Sequence, residues 1–402
     1  MSLPIHPTAE PDDAIYLDHA ATTPVDPDVV TAMLPYFSAH YGNPSSIYRL
    51  GQDGRAALDD ARHTVAGVLR CDPAEVLFTS GATESDNLAL RGVAWHRRLQ
   101  DPDGPPPHIV TTRLEHHAVL HTAENLEQQG FAVSYVPCDA EGIVHVEDIE
   151  TALRPETCLI SVMYANNEVG SIQPIAAIGA LARSRGIPFH TDAVQAAGAL
   201  PLDVETLNVD FLALSAHKFY GPKGSGLLYV RRDTPIAFQQ QGGGQEGGRR
   251  GGTENVPLIV GMAVALEKAD RLREAANAHA IALRDRLLAG LQAAIPDVEL
   301  NGPRDPNRRL ANNLNLAIPG VQGETVLLSL DMQGIAASAG SACTTGNSEP
   351  SHVLRAMGHS DERCRISLRF TVGRANTPDQ IDDTIDVLAD TIERVRALAG
   401  AA

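Results

Sequence analysis

Several classes of protein are excluded by what the 402-residue chain lacks. No apolar run reaches the roughly 18 residues that a membrane-spanning helix needs, so neither a transmembrane segment nor a membrane partner is predicted. Residues 1–13 contain neither a basic start nor an apolar stretch, and we therefore expect no secretory signal. Basic residues are outnumbered, with 32 Lys and Arg against 50 Asp and Glu and a net charge of −18, which argues against nucleic acid as a main partner. The expected compartment is the cytoplasm.

Cysteine is scarce and scattered. The chain has five cysteines, an odd number, and no C-x-x-C pair, so neither a disulfide framework nor a zinc knuckle is predicted. A reducing compartment fits this pattern. The 15 histidines include no H-E-x-x-H motif, and no metal site is predicted.

Short apolar runs alternate with segments of helical periodicity through the middle of the chain. This alternation predicts an α/β fold with a mostly parallel central sheet and helices on both faces. The length favours two domains, because single cores stop growing near roughly 250–300 residues. A long predicted helix follows the glycine-rich stretch 242–252 and suggests the boundary. We expect a large domain at 16–268 and a smaller α+β domain formed by 1–15 and 269–402.

A lysine, Lys218, lies between two predicted buried strands, at 210–214 and 226–230. Open α/β sheets keep their chemistry just beyond strand ends, and a partly desolvated lysine there loses its proton easily and can form a Schiff base with a carbonyl. Lys223 is the competitor, but Gly221-Pro222-Lys223-Gly224 is typical of a turn that leaves the amine in solvent. A single lysine is usually a solvated surface charge, so Lys218 needs partners to support this interpretation.

Two upstream segments supply such partners. Asp192 ends the predicted strand that begins at Pro188, and the segment 75–84 is typical of a strand, a turn of small residues and a helix start. Backbone N–H groups at a helix start bind phosphate. Pyridoxal phosphate requires a lysine for its aldehyde and an acid beside its pyridinium nitrogen, so these three elements together predict a site for that cofactor. The rival hypothesis, a nucleotide-binding module, is weak because neither G-x-x-x-x-G-K-[ST] nor a correctly placed G-x-G-x-x-G occurs.

The order of phosphate-binding turn, carboxylate and lysine resembles the fold-type I pyridoxal-phosphate enzymes, within them the class V aminotransferase group, and most closely the cysteine desulfurases. The similarity extends from about Tyr16 to Arg374. It implies a homodimer that converts L-cysteine to L-alanine and transfers the sulfur, as a persulfide on an enzyme cysteine, to an acceptor such as an iron–sulfur scaffold protein. The C-terminal end is short, and this leaves the choice of acceptor open.

The resemblance also assigns roles to residues around the cofactor. His116, in Leu114-Glu115-His116-His117, matches a histidine that stacks on the cofactor ring and moves protons. Asn167 and Gln195 match contacts to the ring's 3-oxygen, and Asn167 also matches a substrate contact. Thr253 matches a threonine that reaches the phosphate of the neighbouring subunit. The remaining phosphate contacts implied by the resemblance are Ala82, Thr83, Ser215 and His217.

Cys343 lies in a run of small and polar residues, 337–347, that cannot form much core, so we expect a mobile loop at about 337–349. A thiol on such a segment can react as thiolate, whereas the other four cysteines are expected to be inert. Ser-x-Gly-Ser-Ala-Cys-Thr resembles the active cysteine loop of the longer-loop desulfurases. Arg369 and Asn43 match residues that hold the substrate carboxylate, for which a guanidinium fork is well suited.

Two other reactions on the same scaffold remain as alternatives. An aminotransferase needs no cysteine loop, so Cys343 argues against that reading. A selenocysteine lyase does use such chemistry, and the preference between cysteine and selenocysteine stays open. The catalytic residues predicted are therefore Lys218, Cys343 and His116.

Overall fold

The computed structural model describes residues 14–339 and 350–400, without the side chains of 399 and 400. Cys343 thus lies outside the described residues. The strands in this part of the chain are β1 (Ile15–Tyr16), β2 (Val76–Thr79), β3 (His108–Thr112), β4 (Ala132–Val136), β5 (Thr157–Ser161), β6 (Phe189–Asp192), β7 (Phe211–Ser215), β8 (Gly226–Val230), β9 (Glu299–Asn301), β10 (Asn313–Ala317), β11 (Ile335–Ala336) and β12 (Ser367–Thr371). The helices are α1 (Pro27–Met33), α2 (Pro35–Ser38), α3 (Arg49–Leu69), α4 (Ala82–Gln100), α5 (His117–Gln128), α6 (Val146–Ala152), α7 (Ile175–Arg185), α8 (Val204–Leu207), α9 (Val256–Ala294), α10 (Gly323–Asp331), α11 (His352–Ala356), α12 (Asp361–Arg365) and α13 (Pro378–Gly400).

A seven-stranded sheet in the order β2-β8-β7-β6-β5-β3-β4 forms the centre of the fold. Its strands are parallel except for β8, which runs antiparallel to both neighbours. Helices cover both faces, since α4 and α5 contribute to one apolar core and α3, α7 and α9 to another. The predicted fold class is confirmed. Because β2, β3, β6 and β7 point the same way, their carboxyl ends share one edge of the sheet.

The central strands β7 and β8 are buried on both faces, which is why their sequences are nearly continuous apolar runs rather than alternating ones. Every residue of β6, β7 and β8 is buried. Polar residues in these strands therefore stand out, and Asp192 and Ser215 both occur at the last position of their strand.

A third apolar core belongs to the C-terminal part of the chain. It joins Leu17 to the second half of α9, to β10 and β12, and to the apolar residues of α13. The 39-residue helix α9 connects this C-terminal core with the core that contains α3 and α7, since Ala280 lies in the former and Ala269 in the latter. The domain bounds, 16–268 for the large domain and 1–15 with 269–402 for the small one, remain a proposal, and the chain crosses between these two cores within α9.

The start of α13 follows from its sequence. The N–H of Gln380 donates to Oγ1 of Thr377, and the N–H of Thr377 donates to Oε1 of Gln380, each at 3.2 Å. Together with Pro378 in the first turn, this is the capping box that the sequence predicts. Across residues 14–339 and 350–400, no helix combines the length and the apolar character that crossing a membrane demands.

Candidate active site

A cleft of about 570 Å³ opens at the edge where the carboxyl ends of the parallel strands meet. Its wall combines residues from the first turn of α4, from the ends of β6 and β7, and from the segment that precedes α1. The predicted site residues that line it are Ala82, Thr83, His116, Asn167, Asp192, Gln195, Ser215, His217, Lys218 and Arg369.

The phosphate-binding turn is built on a close approach of two backbones. Helix α4 begins at Ala82, within the segment 75–84 that was predicted to contain a helix start, and Gly81 is its N-cap. A Cβ at Gly226 would lie 2.5 Å from the Cα of Gly81, so only glycine lets β8 pass this close to the turn. The first N–H groups of α4 have no acceptor within their helix and face the cleft through Ala82 and Thr83. Their partial positive charge suits a phosphate.

Asp192 lies at the floor of the cleft and is only 5% exposed. The N–H of Val194 donates to its Oδ1 at 2.9 Å, which fixes the carboxyl orientation. Burial raises the pKa of this carboxyl above its ordinary value, while the Val194 N–H and the charge of Lys218 lower it. A cationic ring nitrogen placed beside Asp192 would favour the ionised form in the same way.

The amine of Lys218 is held by two backbone carbonyls. Nζ donates to the oxygens of Ala20 and Ala21, each at 2.7 Å. Next to it, Nδ1 of His217 lies 3.1 Å from Oγ1 of Thr22. Residues 18–22 had no predicted role, and the run of small and polar residues after strand β1 is the signal in the sequence that indicates them.

His116 caps helix α5, because its Nδ1 accepts the N–H of Ala118 at 3.1 Å. That bond places the proton of the neutral ring on Nε2. Burial, and then the nearby charge of Lys218, lower the pKa of His116 to about 4. The imidazole is therefore uncharged at neutral pH, which suits stacking against an aromatic ring.

Arg369 is 2% exposed and lies in a buried ion pair rather than on the surface. Its Nη2 donates to Oδ1 of Asp18 at 2.7 Å and its Nη1 to the carbonyl of Asn167 at 2.9 Å. These two bonds orient the guanidinium at the cleft. Arg374 pairs with Asp26 instead.

Two of the predicted residues do not line the cleft of their own chain. Asn43 is exposed, and its Oδ1 accepts the N–H of Ser45 within a turn. Thr253 is also exposed and lies beyond the cleft lining. Lys223 occupies a turn and is exposed as predicted, but it also contributes to the lining of the cleft, which was not predicted.

Comparison with known proteins agrees with this geometry. The family model for class-V aminotransferases matches residues 15–383. The chain belongs to the class-V aminotransferase family. Among relatives of this class-V chain, the cysteine desulfurase IscS of Methanosarcina thermophila is 48% identical over 386 residues, which cover 96% of this chain and 94% of the relative. A solved NifS-like protein has a TM-score of 0.88 and 36% identity, covering 95% of this chain and all of the other.

A second solved structure, described as SspA in complex with cysteine, has a TM-score of 0.77 and 36% identity and covers 90% of this class-V chain and 100% of the other. The resemblance to cysteine desulfurases inferred from the motifs is confirmed by these relatives. The class-V family consists of pyridoxal-phosphate enzymes, and the residues present fit that cofactor. The cleft presents a helix start for its phosphate, a buried carboxylate for its ring nitrogen and a lysine amine for its aldehyde.

Proposed function

We propose that the chain is a pyridoxal-phosphate-dependent cysteine desulfurase, which converts L-cysteine to L-alanine and passes the sulfur through a persulfide on Cys343 to iron–sulfur cluster assembly or another sulfur-transfer pathway. The observation that carries the proposal is the meeting of Lys218, Asp192 and the start of α4 in one cleft. Relatives named cysteine desulfurases match nearly the whole chain. Pyridoxal phosphate, when bound, supplies a ring that accepts the electrons released at the substrate's α-carbon.

The cofactor would be held from three sides. Asp192 would pair with the ring nitrogen, and its orientation is already fixed by the N–H of Val194. His116 would stack on the ring as a neutral imidazole, and Gln195 and Asn167 would reach the 3-oxygen. The phosphate would be bound by the start of α4 and the end of β7, through Ala82, Thr83, Ser215 and His217.

Lys218 would carry the proton transfers at the substrate. Its Nζ, held against the carbonyls of Ala20 and Ala21, would take the proton from the α-carbon of the substrate. Nε2 of His116 is the second group that can move a proton, because Nδ1 is engaged with Ala118. Arg369 would hold the substrate carboxylate, assisted by Asn167 and Asn43.

Cys343 would attack the substrate sulfur as thiolate and form an S–S bond while the carbon–sulfur bond of cysteine breaks. The electron pair of the broken bond would stay with the carbon, which is protonated to give the methyl group of alanine, and the sulfur would remain on Cys343 as a persulfide. Cys343 follows Ser338 by five positions in the sequence. Ser338 exchanges backbone hydrogen bonds with Arg369 at the cleft. The described chain therefore passes beside the cleft shortly before Cys343 in the sequence, which supports the assignment of this thiol.

The four described cysteines are poor candidates for this role. Burial raises the pKa of the Cys71 thiol to about 12, of Cys138 to about 11 and of Cys158 to about 12. Burial also raises the pKa of Cys364. Thiolate formation is therefore disfavoured at each of them, which supports the assignment of Cys343.

Substitution of this cysteine tests the function directly. We expect Cys343→Ser to keep the visible absorption of the bound cofactor and to lose sulfur transfer, measured as alanine and sulfide released from cysteine with and without a reductant. Cys71→Ser is the matched control and should retain both. Desulfurase turnover of Cys343→Ser at the wild-type rate would contradict the assignment.

We also propose that two copies of this chain form a cytoplasmic homodimer, in which Thr253 of one subunit binds the cofactor phosphate in the site of the other. The exposed position of Thr253 outside its own cleft supports this arrangement. Co-expression of Lys218→Ala and Thr253→Ala chains provides the test. A mixed dimer regains one site with both residues intact if Thr253 serves the partner. If Thr253 acts within its own chain, the mixed dimer stays as impaired as its parents.

A further inference from the structure

A layer of buried polar groups lies at the inner wall of the cleft, between α4 and the central sheet, and Asp86 belongs to the cleft lining. Asp86 on α4 is 1% exposed, and His190 and Glu115 are fully buried. Within the described part of the chain, neither carboxyl oxygen of Asp86 has a hydrogen-bond partner, and Nε2 of His190 and Oε2 of Glu115 have none either. An ionised carboxylate without a donor is very costly in such an environment.

His190 indicates where a proton on Asp86 would point. Nδ1 of His190 lies 2.9 Å from Oγ of Ser161, and its Nε2 lies 3.4 Å from Oδ1 of Asp86. Burial lowers the pKa of His190 to about 3, so the imidazole is neutral and the pair is not an ion pair. A neutral ring that donates through Nδ1 offers Nε2 as an acceptor. A protonated Asp86 supplies the matching donor.

Asp192 explains why Asp86 keeps its proton. Burial raises the pKa of Asp86 well above its ordinary value, and the charges of Asp192 and Glu115 raise it further. Asp192 instead has the N–H of Val194 and the nearby charge of Lys218, both of which favour its ionised form. Two buried acids that repel each other share a single charge, and here the environment directs that charge to Asp192.

We propose that Asp86 is a positioning residue, the protonated member of a two-acid pair, which donates toward His190 and leaves the single negative charge on Asp192 at the floor of the cleft. Asp86 lines the cleft with only 1% of its surface exposed, and it acts on the cofactor through the charge that it leaves on Asp192. The part of this inference that concerns the cofactor rests on the proposed function, whereas the protonation of Asp86 does not.

Infrared spectroscopy of the holoenzyme at neutral pH tests the protonation. We expect the C=O stretching band of a protonated carboxylic acid to lose intensity in Asp86→Asn. Glu115→Gln is the matched control, because burial raises the pKa of Glu115 to about 8 and its band should disappear separately. An Asp86→Asn spectrum with every protonated-acid band intact would show that Asp86 is ionised, and would overturn the proposal.

Cofactor binding tests the positioning role. Asparagine keeps a neutral donor at position 86, so the dissociation constant of pyridoxal phosphate should stay within about two-fold of wild type in Asp86→Asn. Asp86→Ala removes the donor to the neutral ring of His190 and should weaken binding about five- to ten-fold, the loss expected for a buried hydrogen bond between neutral groups. Leu88→Ala, a truncation on the same helix that leaves the buried acids in place, should stay near wild type.

Equal weakening in Asp86→Asn and Asp86→Ala would overturn the neutral-donor assignment, as would equal weakening in Asp86→Ala and Leu88→Ala. If Asp86→Ala does not accumulate, the infrared comparison still decides the protonation. Unchanged cofactor binding and absorption in Asp192→Asn would contradict the proposed function while leaving the protonation of Asp86 intact.

Discussion

Replacement of Arg369 by lysine separates the fork geometry of this residue from its charge. The guanidinium is 2% exposed and already makes two bonds, to Asp18 at 2.7 Å and to the Asn167 carbonyl at 2.9 Å. A lysine keeps the positive charge but offers one nitrogen in place of a planar fork. It cannot reach Asp18, Asn167 and a substrate carboxylate at once with the same geometry.

The expected effect depends on the bonds lost. A hydrogen bond between charged groups contributes about 1.5–3 kcal/mol. Loss of one such bond to the substrate carboxylate corresponds to a rise of roughly 10- to 100-fold in the KM for cysteine in Arg369→Lys. Since the bond is made to the substrate before and during reaction, kcat should change much less than KM.

Initial rates of alanine formation against cysteine concentration measure both constants, with cofactor content checked by visible absorption. Arg374→Lys is the matched control, because Arg374 pairs with Asp26 and stacks over the ring of Tyr220 at 3.7 Å. A kcat/KM within two-fold of wild type in Arg369→Lys, or an equal loss in Arg374→Lys, would refute the assignment of the carboxylate to Arg369.

Three further outcomes are expected. Lys218→Ala should lose the visible absorption of the covalently bound cofactor and all turnover, whereas Lys223→Ala should keep the absorption; the reverse result would exchange the two roles. Gly226→Ala places a Cβ 2.5 Å from the Gly81 Cα and should cost about 1–3 kcal/mol of stability and weaken cofactor binding, while Gly67→Ala, with no atom within 4 Å, should be neutral or stabilising by urea unfolding. For His116, the folded pKa of about 4 lies below the unfolded value, so its contribution to stability is complete above about pH 6.5 and is lost as the pH falls towards 4. His116→Asn retains a capping side chain and should make acid destabilisation shallower over that window, and an unchanged pH dependence would contradict the lowered pKa.

The sequence itself determined the strand ends and the polar residues placed just beyond them. Lys218, Asp192 and the start of α4 could be predicted to meet because each lies at or just after the end of a buried strand, and parallel strands bring their carboxyl ends to one edge. The burial of β7 is also visible in its apolar run, whereas the buried strand β6 is mostly polar. A helix start within 75–84 could be predicted, but the close approach of Gly226 to Gly81 could not, because it depends on a strand far along the chain.

Only the tertiary structure decided which distant segments close over the site. The amine of Lys218 meets carbonyls 197 and 198 residues earlier in the chain. Arg369 meets Asp18 across 351 residues. Local patterns of hydrophobicity and capping specify each element and its buried face, because these depend on neighbours within a few positions. Which loops from separate elements meet depends on how the apolar cores pack against one another, and no short-range sequence pattern specifies that packing.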